Sequence, residues 1–282
     1  GKGLLMAPSF FILDPSKRCE PSAFLFTRAV SFFLANDYTP ARTINDSDII
    51  LLNSCCVTED KISTSMAALK YARENGKGKQ IVLFGCMAKL PQIEIDPDNL
   101  IRIGPKNLDE LDRLFTSRIP LNQIDIHRLP PELYEPGQGL GYQDYFIMIA
   151  QGCSNDCAYC NIKRVKGDVR SRPPETILAE IRQGLALGMT EFVLVADDCA
   201  SYGRDRGTDL TLLLEEIFAV ADDFRIKLGY LFPGFVLNHF ERVKQIFETG
   251  RIAYVNIPVQ SGSQRILDLM NRRYDVNKVK DA

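Results

Sequence analysis

Three cysteines stand close together in Gly152-Cys153-Ser154-Asn155-Asp156-Cys157-Ala158-Tyr159-Cys160, at the spacing C-x3-C-x2-C. Thiolates this near in sequence can point inward at one metal centre, and soft sulfur ligands select zinc or iron–sulfur clusters. A structural zinc site wants four closed ligands. No fourth cysteine or histidine stands nearby, since the two histidines, His127 and His239, are far off in the chain. A [4Fe–4S] cluster with one iron left open fits the three sulfurs better than zinc does.

The other cysteines are Cys19, Cys55, Cys56, Cys86 and Cys199, which makes eight in 282 residues. In a small secreted domain that number would suggest disulfides, but a chain of this length can bury a core without them. No basic stretch followed by an apolar run and a small-residue cleavage site is present, so reduced thiols in a cytoplasmic protein are expected. With 45% hydrophobic and 25% charged residues, the composition argues against disorder, collagen-like repeats and coiled coil. The longest apolar runs, Ile49 to Leu52 and Phe192 to Ala196, are too short to cross a bilayer. A net charge of −2 argues against bulk electrostatic grip on nucleic acid, though not against a local basic patch.

These thiols need elements to place them. In the first part of the chain, strands are expected at Phe10 to Leu13, Asp48 to Asn53, Gln80 to Phe84 and Leu100 to Ile103. Helices are expected between them at Pro21 to Leu34 and Glu59 to Glu74, and a last one at Leu108 to Phe115. The β-α-β-α order implies an α/β fold, here a small doubly wound parallel sheet over residues 1–118. Residues 119–143, with Pro120, Pro130, Pro131, Pro136, Gly137, Gly139 and Gly141, read as a linker. From residue 144 the alternation restarts, with strands at Tyr145 to Ala150, Glu191 to Ala196, Arg225 to Leu231 and Ala253 to Pro258. Helices at Pro173 to Leu187, Leu210 to Ala221, Leu237 to Phe247 and Ser263 to Met270 complete four βα units. Such a series is part of a (β/α) barrel, whose active site lies at the strand C-termini. The first of those C-termini leads to Cys153.

A C-x3-C-x2-C loop after the first strand of a βα barrel, with the aromatic Tyr159 before its last cysteine, is similar to the radical S-adenosylmethionine enzymes. In that family the three cysteines hold a [4Fe–4S] cluster whose open iron binds S-adenosylmethionine, and reductive cleavage yields a 5′-deoxyadenosyl radical. The resemblance narrows to the methylthiotransferases, which carry a second [4Fe–4S] cluster on an N-terminal α/β domain. Cys19, Asn53-Ser54-Cys55 and Gly85-Cys86-Met87-Ala88 match that domain's ligand positions. Cys56 competes with Cys55, but the family's Asn-Thr-Cys pattern aligns with Cys55. The alternative for Cys19, Cys55 and Cys86 is that they are buried free thiols, since cysteine is among the most buried residue types. Further family-like segments are Gly167 to Pro173, Asp198 to Gly203 and Pro258 to Ser263. The resemblance implies cofactor contacts at Tyr159, Arg172, Asp198, Gln260 and Ser261. Gly262-Ser263 reads equally well as a turn and cap for the next helix. The basic residues Lys163, Arg164, Lys166, Arg170 and Arg172 either grip phosphate or an acidic substrate or line a solvated loop.

Two departures stand out. Asp197 replaces the family's usual Gln, and Asp198-Cys199 replaces a pair without a thiol, so that Cys199 is a candidate to face the site. Family members also continue past the position of Ala282 with more barrel strands, a Gly-Phe-Pro-Gly-Glu-like segment and a small β-rich RNA-binding domain. The chain is therefore expected to be a fragment or a shortened relative.

The reaction implied is replacement of an unactivated C–H by S–CH3, with electrons from a flavodoxin- or ferredoxin-like donor. Two substrates are open. Leu194 to Gly203 and Tyr230 to Pro233 look like the enzymes that modify an aspartate of a ribosomal protein. Val57-Thr58 and Val259 to Ser263 look like those that modify adenosine in transfer RNA. The absence of basic excess and of the β-rich domain leans toward the polypeptide. A different radical reaction on a peptide, or a non-catalytic iron–sulfur protein, are the other classes.

Overall fold

Asp48 to Asn53 is apolar enough to be buried on both faces, which is how strands of parallel sheets read. In the computed structural model, which describes residues 7–15, 20–90, 99–124, 127 and 145–282, it is the middle of a five-stranded parallel sheet. Two compact units share the chain, residues 1–142 and 143–282.

The first unit runs β1 (Ser9–Leu13), α1 (Glu20–Ala35), β2 (Thr39–Pro40), β3 (Ile49–Ser54), α2 (Glu59–Asn75), β4 (Gln80–Gly85), β5 (Leu100–Ile103) and α3 (Glu110–Leu114). The sheet order is β2-β1-β3-β4-β5. Every β3 residue is buried, and α1 covers the sheet with Phe24, Leu25, Ala29, Phe32 and Phe33. Thr58 caps α2 by accepting from the Lys61 N–H (3.3 Å), and Glu59 and Asp60 in the first turn suit the positive end of its dipole. Strand β2 was not expected from periodicity: two exposed residues carry no pattern, and Pro40 is tolerated because the strand is an edge. The order reverses between β1 and β3. In doubly wound sheets the ligand crevice lies at such a reversal, outside the strands' carboxyl ends.

The second unit contains β6 (Tyr145–Met148), β7 (Ala150–Gln151), α4 (Ile162–Lys166), β8 (Arg170–Ser171), α5 (Pro174–Ala186), β9 (Glu191–Val195), α6 (Leu210–Phe218), β10 (Arg225–Leu228), α7 (Pro233–Asn238), α8 (Phe240–Glu248), β11 (Ile252–Val255), α9 (Gln264–Leu269) and α10 (Val276–Asp281). Its parallel sheet is ordered β11-β10-β9-β6, so each new strand joins the last without reversal, as in an arc of a (β/α) barrel. Tyr145, Ile147, Phe192, Leu194, Ile226 and Leu228 pack against Ile177 and Ile181 of α5, Leu213 and Ile217 of α6, and Val243 and Ile246 of α8.

Three local expectations change. The single helix expected over Leu237 to Phe247 is two: Pro233 sits at the start of α7, and the chain leaves helical geometry at His239, whose ring stacks on Phe235 at 4.2 Å. Strand β10 stops at Leu228, three residues short of the apolar run, because the following residues bond into loops. The first barrel strand divides into β6 and β7, and β7 pairs antiparallel with β8. Of the linker, residues 119–124 and 127 are described and include a short 3-10 turn at Leu121–Gln123; the rest lies outside the described residues. Among the described residues no helix is long and apolar enough to cross a membrane.

Candidate functional site

The β7–β8 pair, Ala150 with Ser171 and Gln151 with Arg170, closes the base of the loop that carries Cys153, Cys157 and Cys160. Gly152 starts that loop at φ +83°, where a Cβ would lie 2.3 Å from the Asp168 carbonyl oxygen, so the turn requires glycine. All three thiols are half-buried. Each sulfur receives an N–H: Cys153 from the Asn155 backbone and side chain (both 3.4 Å), Cys160 from Ile162 (3.4 Å), and Cys157 from Arg272 Nη1 (3.6 Å). Such donors stabilise sulfur anions and are among the protein's means of tuning a cluster. Burial first, and the Asp198 carboxylate second, push the Cys153 thiol up to about 11. A metal ion bound at this sulfur would favour its thiolate against that burial.

Loops after the other three barrel strands are tied into this one. Asp198, following β9, accepts from Asn155 Nδ2 and Ser201 Oγ (2.8 Å each), and from the Ala200 and Phe232 N–H groups (3.1 Å each). Ser201 Oγ in turn accepts the Ser154 N–H (3.2 Å). Burial pushes the Asp198 carboxyl up, against those four bonds. Asp198, an expected cofactor contact, has both oxygens engaged in holding the β9 and β10 loops to the cysteine loop. Asp197 accepts the Gly152 N–H (2.8 Å) and the Lys166 ammonium (2.5 Å), both side chains of the ion pair being almost fully buried. From beyond β11, the turn after α9 reaches back. Asn271 donates to the Asp156 carbonyl (2.7 Å), and the Ala158 N–H donates to Met270 (3.0 Å).

The remaining expected contacts divide. Tyr159 is half-exposed at the loop's surface, with its hydroxyl 3.4 Å from Arg272 Nη1. Gln260 lies on the loop after β11 in the left-handed region at φ +73°, a conformation that costs a non-glycine residue about 1–3 kcal/mol and concentrates at functional sites. Ser261 Oγ accepts the Ser263 N–H (3.1 Å), and Ser263 itself makes no side-chain cap to α9. Arg172 is turned to a bidentate pair with Glu180 (2.6 and 2.9 Å) and to the Met148 carbonyl, a structural role. Three of the five basic residues are engaged within the chain: Lys163 pairs with Asp156 and Asp168, Lys166 is buried against Asp197, and Arg172 pairs with Glu180, while Arg164 and Arg170 are exposed. Cys199 does not face the site; it is fully buried with its thiol 3.6 Å from the Leu194 carbonyl. Arg272 escaped sequence reasoning, its only signal being Asn271 before it, a residue type at home in the left-handed turn (φ +53°) that ends α9.

In the first unit, Ser54 pairs with Gly85 at the carboxyl ends of β3 and β4, so Cys55 and Cys86 leave adjacent strands at the same level. Gly85 has φ +95°, and a Cβ there would lie 2.2 Å from the Ser54 carbonyl oxygen. As at Gly152, a glycine lets the chain turn just before a cysteine. Cys55, Cys56 and Cys86 are all buried. Asn53, fully buried, accepts from Ser22 Oγ and donates to Asp14 Oδ1 (2.9 Å each). It thereby joins the end of β3 to the residues on either side of 16–19. Cys19 itself lies outside the described residues.

The donor set fits iron–sulfur chemistry better than a single ion. The ligands on this loop are three thiols with no fourth cysteine or histidine near them in sequence, whereas a structural zinc site wants four closed ligands. Three half-buried sulfurs, each with an N–H donor, suit an iron–sulfur cluster held by three thiolates.

A parallel (β/α) arc with this loop at its carboxyl edge defines a radical S-adenosylmethionine domain. Residues 147–282 match the radical SAM superfamily, and residues 19–101 match the uncharacterized protein family UPF0004. The chain belongs to the radical SAM methylthiotransferase family. It is 29% identical over 84% of its length to a probable threonylcarbamoyladenosine tRNA methylthiotransferase from Pyrococcus horikoshii, covering 56% of that protein. Identity is 31% over 82% of the chain, and 44% of the relative, with the threonylcarbamoyladenosine tRNA methylthiotransferase of Danio rerio. With the ribosomal protein uS12 methylthiotransferase RimO of Thermodesulfovibrio yellowstonii it is 31% over 80% of the chain and 53% of the relative. The chain thus spans about half the length of these curated relatives. The solved structure of the radical S-adenosylmethionine methyltransferase TsrM from Kitasatospora setae shares the fold, with a TM-score of 0.54 at 12% identity over 98% of this chain and 66% of that one.

Proposed function

We propose that this chain carries the chemistry of methylthiolation, replacement of an unactivated C–H by S–CH3, with one [4Fe–4S] cluster on Cys153, Cys157 and Cys160 and a second on Cys19, Cys55 and Cys86. The observation that carries the reading is the barrel loop: three half-buried sulfurs, each with an N–H donor, at the carboxyl edge of a four-stranded parallel arc. When bound, the clusters and S-adenosylmethionine supply a low-potential electron, a hydrogen-abstracting radical, a sulfur and a methyl group. The chain's own residues hold and orient. Gly152 turns Cys153 into place, Asp197 and Asp198 fix the loop's backbone, and Gln260 and Tyr159 offer an exposed amide and phenol at the same edge. The second cluster is supported by the register that brings Cys55 and Cys86 to one level of the sheet, beside the β1–β3 reversal.

As substrate we propose transfer RNA bearing threonylcarbamoyladenosine, a reading supported by the names of the Pyrococcus horikoshii and Danio rerio relatives. An aspartate of ribosomal protein uS12 is the second reading, favoured by the net charge of −2 and the likeness to RimO. A flavodoxin- or ferredoxin-like protein is the proposed electron donor, in the cytoplasm. The test is iron and labile sulfide per anaerobically reconstituted chain, then 5′-deoxyadenosine after dithionite and S-adenosylmethionine. Mass spectrometry of the transfer RNA and of a uS12 peptide then looks for the gain of one methylthio group. About eight irons and deoxyadenosine are expected, with either trio's replacement by alanine removing about half the iron. Zinc, or iron without deoxyadenosine, overturns the reading.

A further inference from the structure

Arg272 is a buried cation whose partners, among the described residues, include no carboxylate. Only 4% of its surface is exposed, and its guanidinium lies over the rings of Phe232 (4.8 Å) and Tyr274 (5.4 Å). Its polar partners are the Pro258 carbonyl (2.6 Å), the Tyr274 and Tyr159 hydroxyls (3.3 and 3.4 Å) and, at 3.6 Å, the sulfur of Cys157. Among the described residues it makes no ion pair, although the other buried cation at this site, Lys166, has Asp197. A buried charge normally demands an opposite one. Of the four groups that Arg272 touches, the Cys157 sulfur alone becomes an anion when it binds iron.

We propose that Arg272 is the counter-charge of the barrel cluster, donating to the Cys157 thiolate and raising the potential at which the cluster is reduced. The proposal rests on the reading that Cys153, Cys157 and Cys160 hold a [4Fe–4S] cluster. Reduction by one electron, taken here from dithionite, adds one negative charge to the cluster. A guanidinium fixed beside one sulfur, dry and with no competing carboxylate, favours that added charge over the oxidised state. Arg272 also bonds the loop after β11 through Pro258, so it joins the sulfur to the loop that carries Gln260.

The test uses the full chain with Cys55, Cys56 and Cys86 replaced by alanine, reconstituted anaerobically so that the barrel cluster alone gives a signal. Potentiometric titration followed by electron paramagnetic resonance reads its midpoint potential. Arg272→Gln is expected to shift the one-electron equilibrium about tenfold toward the oxidised form, a potential about 59 mV lower, while Arg272→Lys, which keeps the charge, shifts it less. An Arg272→Gln cluster whose equilibrium moves less than about twofold, roughly 18 mV, overturns the proposal. Because Arg272 also supports the fold, a second measurement leaves the residue in place. With ¹⁵N-arginine incorporated, pulsed resonance of the reduced cluster is expected to show a guanidinium nitrogen coupling that disappears in Arg272→Lys. Absence of that coupling in the chain with Arg272 intact overturns the proposal. If Cys157→Ala removes no iron from the starting chain, the cluster assignment itself falls, and the proposal with it. Iron lost from Cys157→Ala with no potential shift in Arg272→Gln sinks the proposal alone.

Discussion

Lys166 and Asp197 form an ion pair at 2.5 Å with side chains only 2% and 3% exposed, so solvent screening does little to weaken it. Asp197 spends its other oxygen on the Gly152 N–H (2.8 Å), which places the pair directly beneath the start of the cysteine loop. Lys166→Met roughly keeps the volume of the aliphatic stem and leaves the carboxylate buried with one N–H partner. Breaking a buried pair from one side costs about 3–5 kcal/mol, because the surviving charge has lost both water and partner. That is roughly two to three and a half powers of ten in the opening equilibrium. Lys166→Met/Asp197→Asn is expected to recover most of the loss, since uncharged replacement of both partners is often close to neutral. Hydrogen exchange of the iron-free, reduced chain, read by mass spectrometry on peptides covering β6 and β9, isolates the second unit from the first. A Lys166→Met chain within about 1 kcal/mol of its parent, or a double variant no better than the single, would show that the pair does not hold the loop's base.

Three further outcomes follow from named contacts. Gly152→Ala puts a Cβ 2.3 Å from the Asp168 carbonyl oxygen at φ +83°, so it is expected to displace Cys153 and lower iron retained by the barrel trio, measured as iron per chain in the background lacking Cys55, Cys56 and Cys86. Asp209 caps α6 by accepting from the Thr211 (2.7 Å) and Leu212 (3.2 Å) N–H groups, and its removal in Asp209→Ala is expected to cost about 1 kcal/mol near neutral pH. Burial alone would raise its carboxyl, but the bonds from Thr211 and Leu212 hold it below the usual range. Its stabilisation is therefore present above the unfolded carboxyl's pKa and lost as pH falls through the lower folded one, and denaturant midpoints of variant and parent should converge in acid. Cys199→Ala, in a buried thiol against the Leu194 carbonyl, is expected to leave iron content unchanged while lowering stability by about 1 kcal/mol; loss of iron would return Cys199 to the site.

What could be read from the chain was local. Asp48 to Asn53 and Glu191 to Ala196 announce themselves as strands because both faces of a parallel sheet are covered, and their apolar runs are continuous. The expected helix starts at Glu59 and Pro173 fall within one residue of those of α2 and α5. C-x3-C-x2-C is likewise a local statement, that three sulfurs on one loop can face a common centre. Helix α7 was missed because it is six residues long, less than two turns between Pro233 and His239, too short a segment for periodicity to mark. Of the two departures, Asp197 has a partner in Lys166, and Cys199, a candidate to face the site, packs in the core.

The partners that decide the chemistry are separated along the chain. Arg272 meets Cys157 from 115 positions away, Asp197 meets Lys166 across 31, and Asp198 meets Asn155 across 43. No periodicity or spacing rule reaches across such gaps, because the contacts exist only once four strand ends have been brought to one edge of a sheet. Lys166 shows the consequence most plainly. Among four other basic residues it reads as part of a solvated or phosphate-gripping run, and only burial against Asp197 converts it into an internal brace. Cysteine spacing says that sulfurs can converge; the fold decides which N–H each one receives. Those donors, and a guanidinium beside Cys157 that makes no ion pair among the described residues, are what the proposed ligand role rests on beyond the spacing of three thiols on one loop.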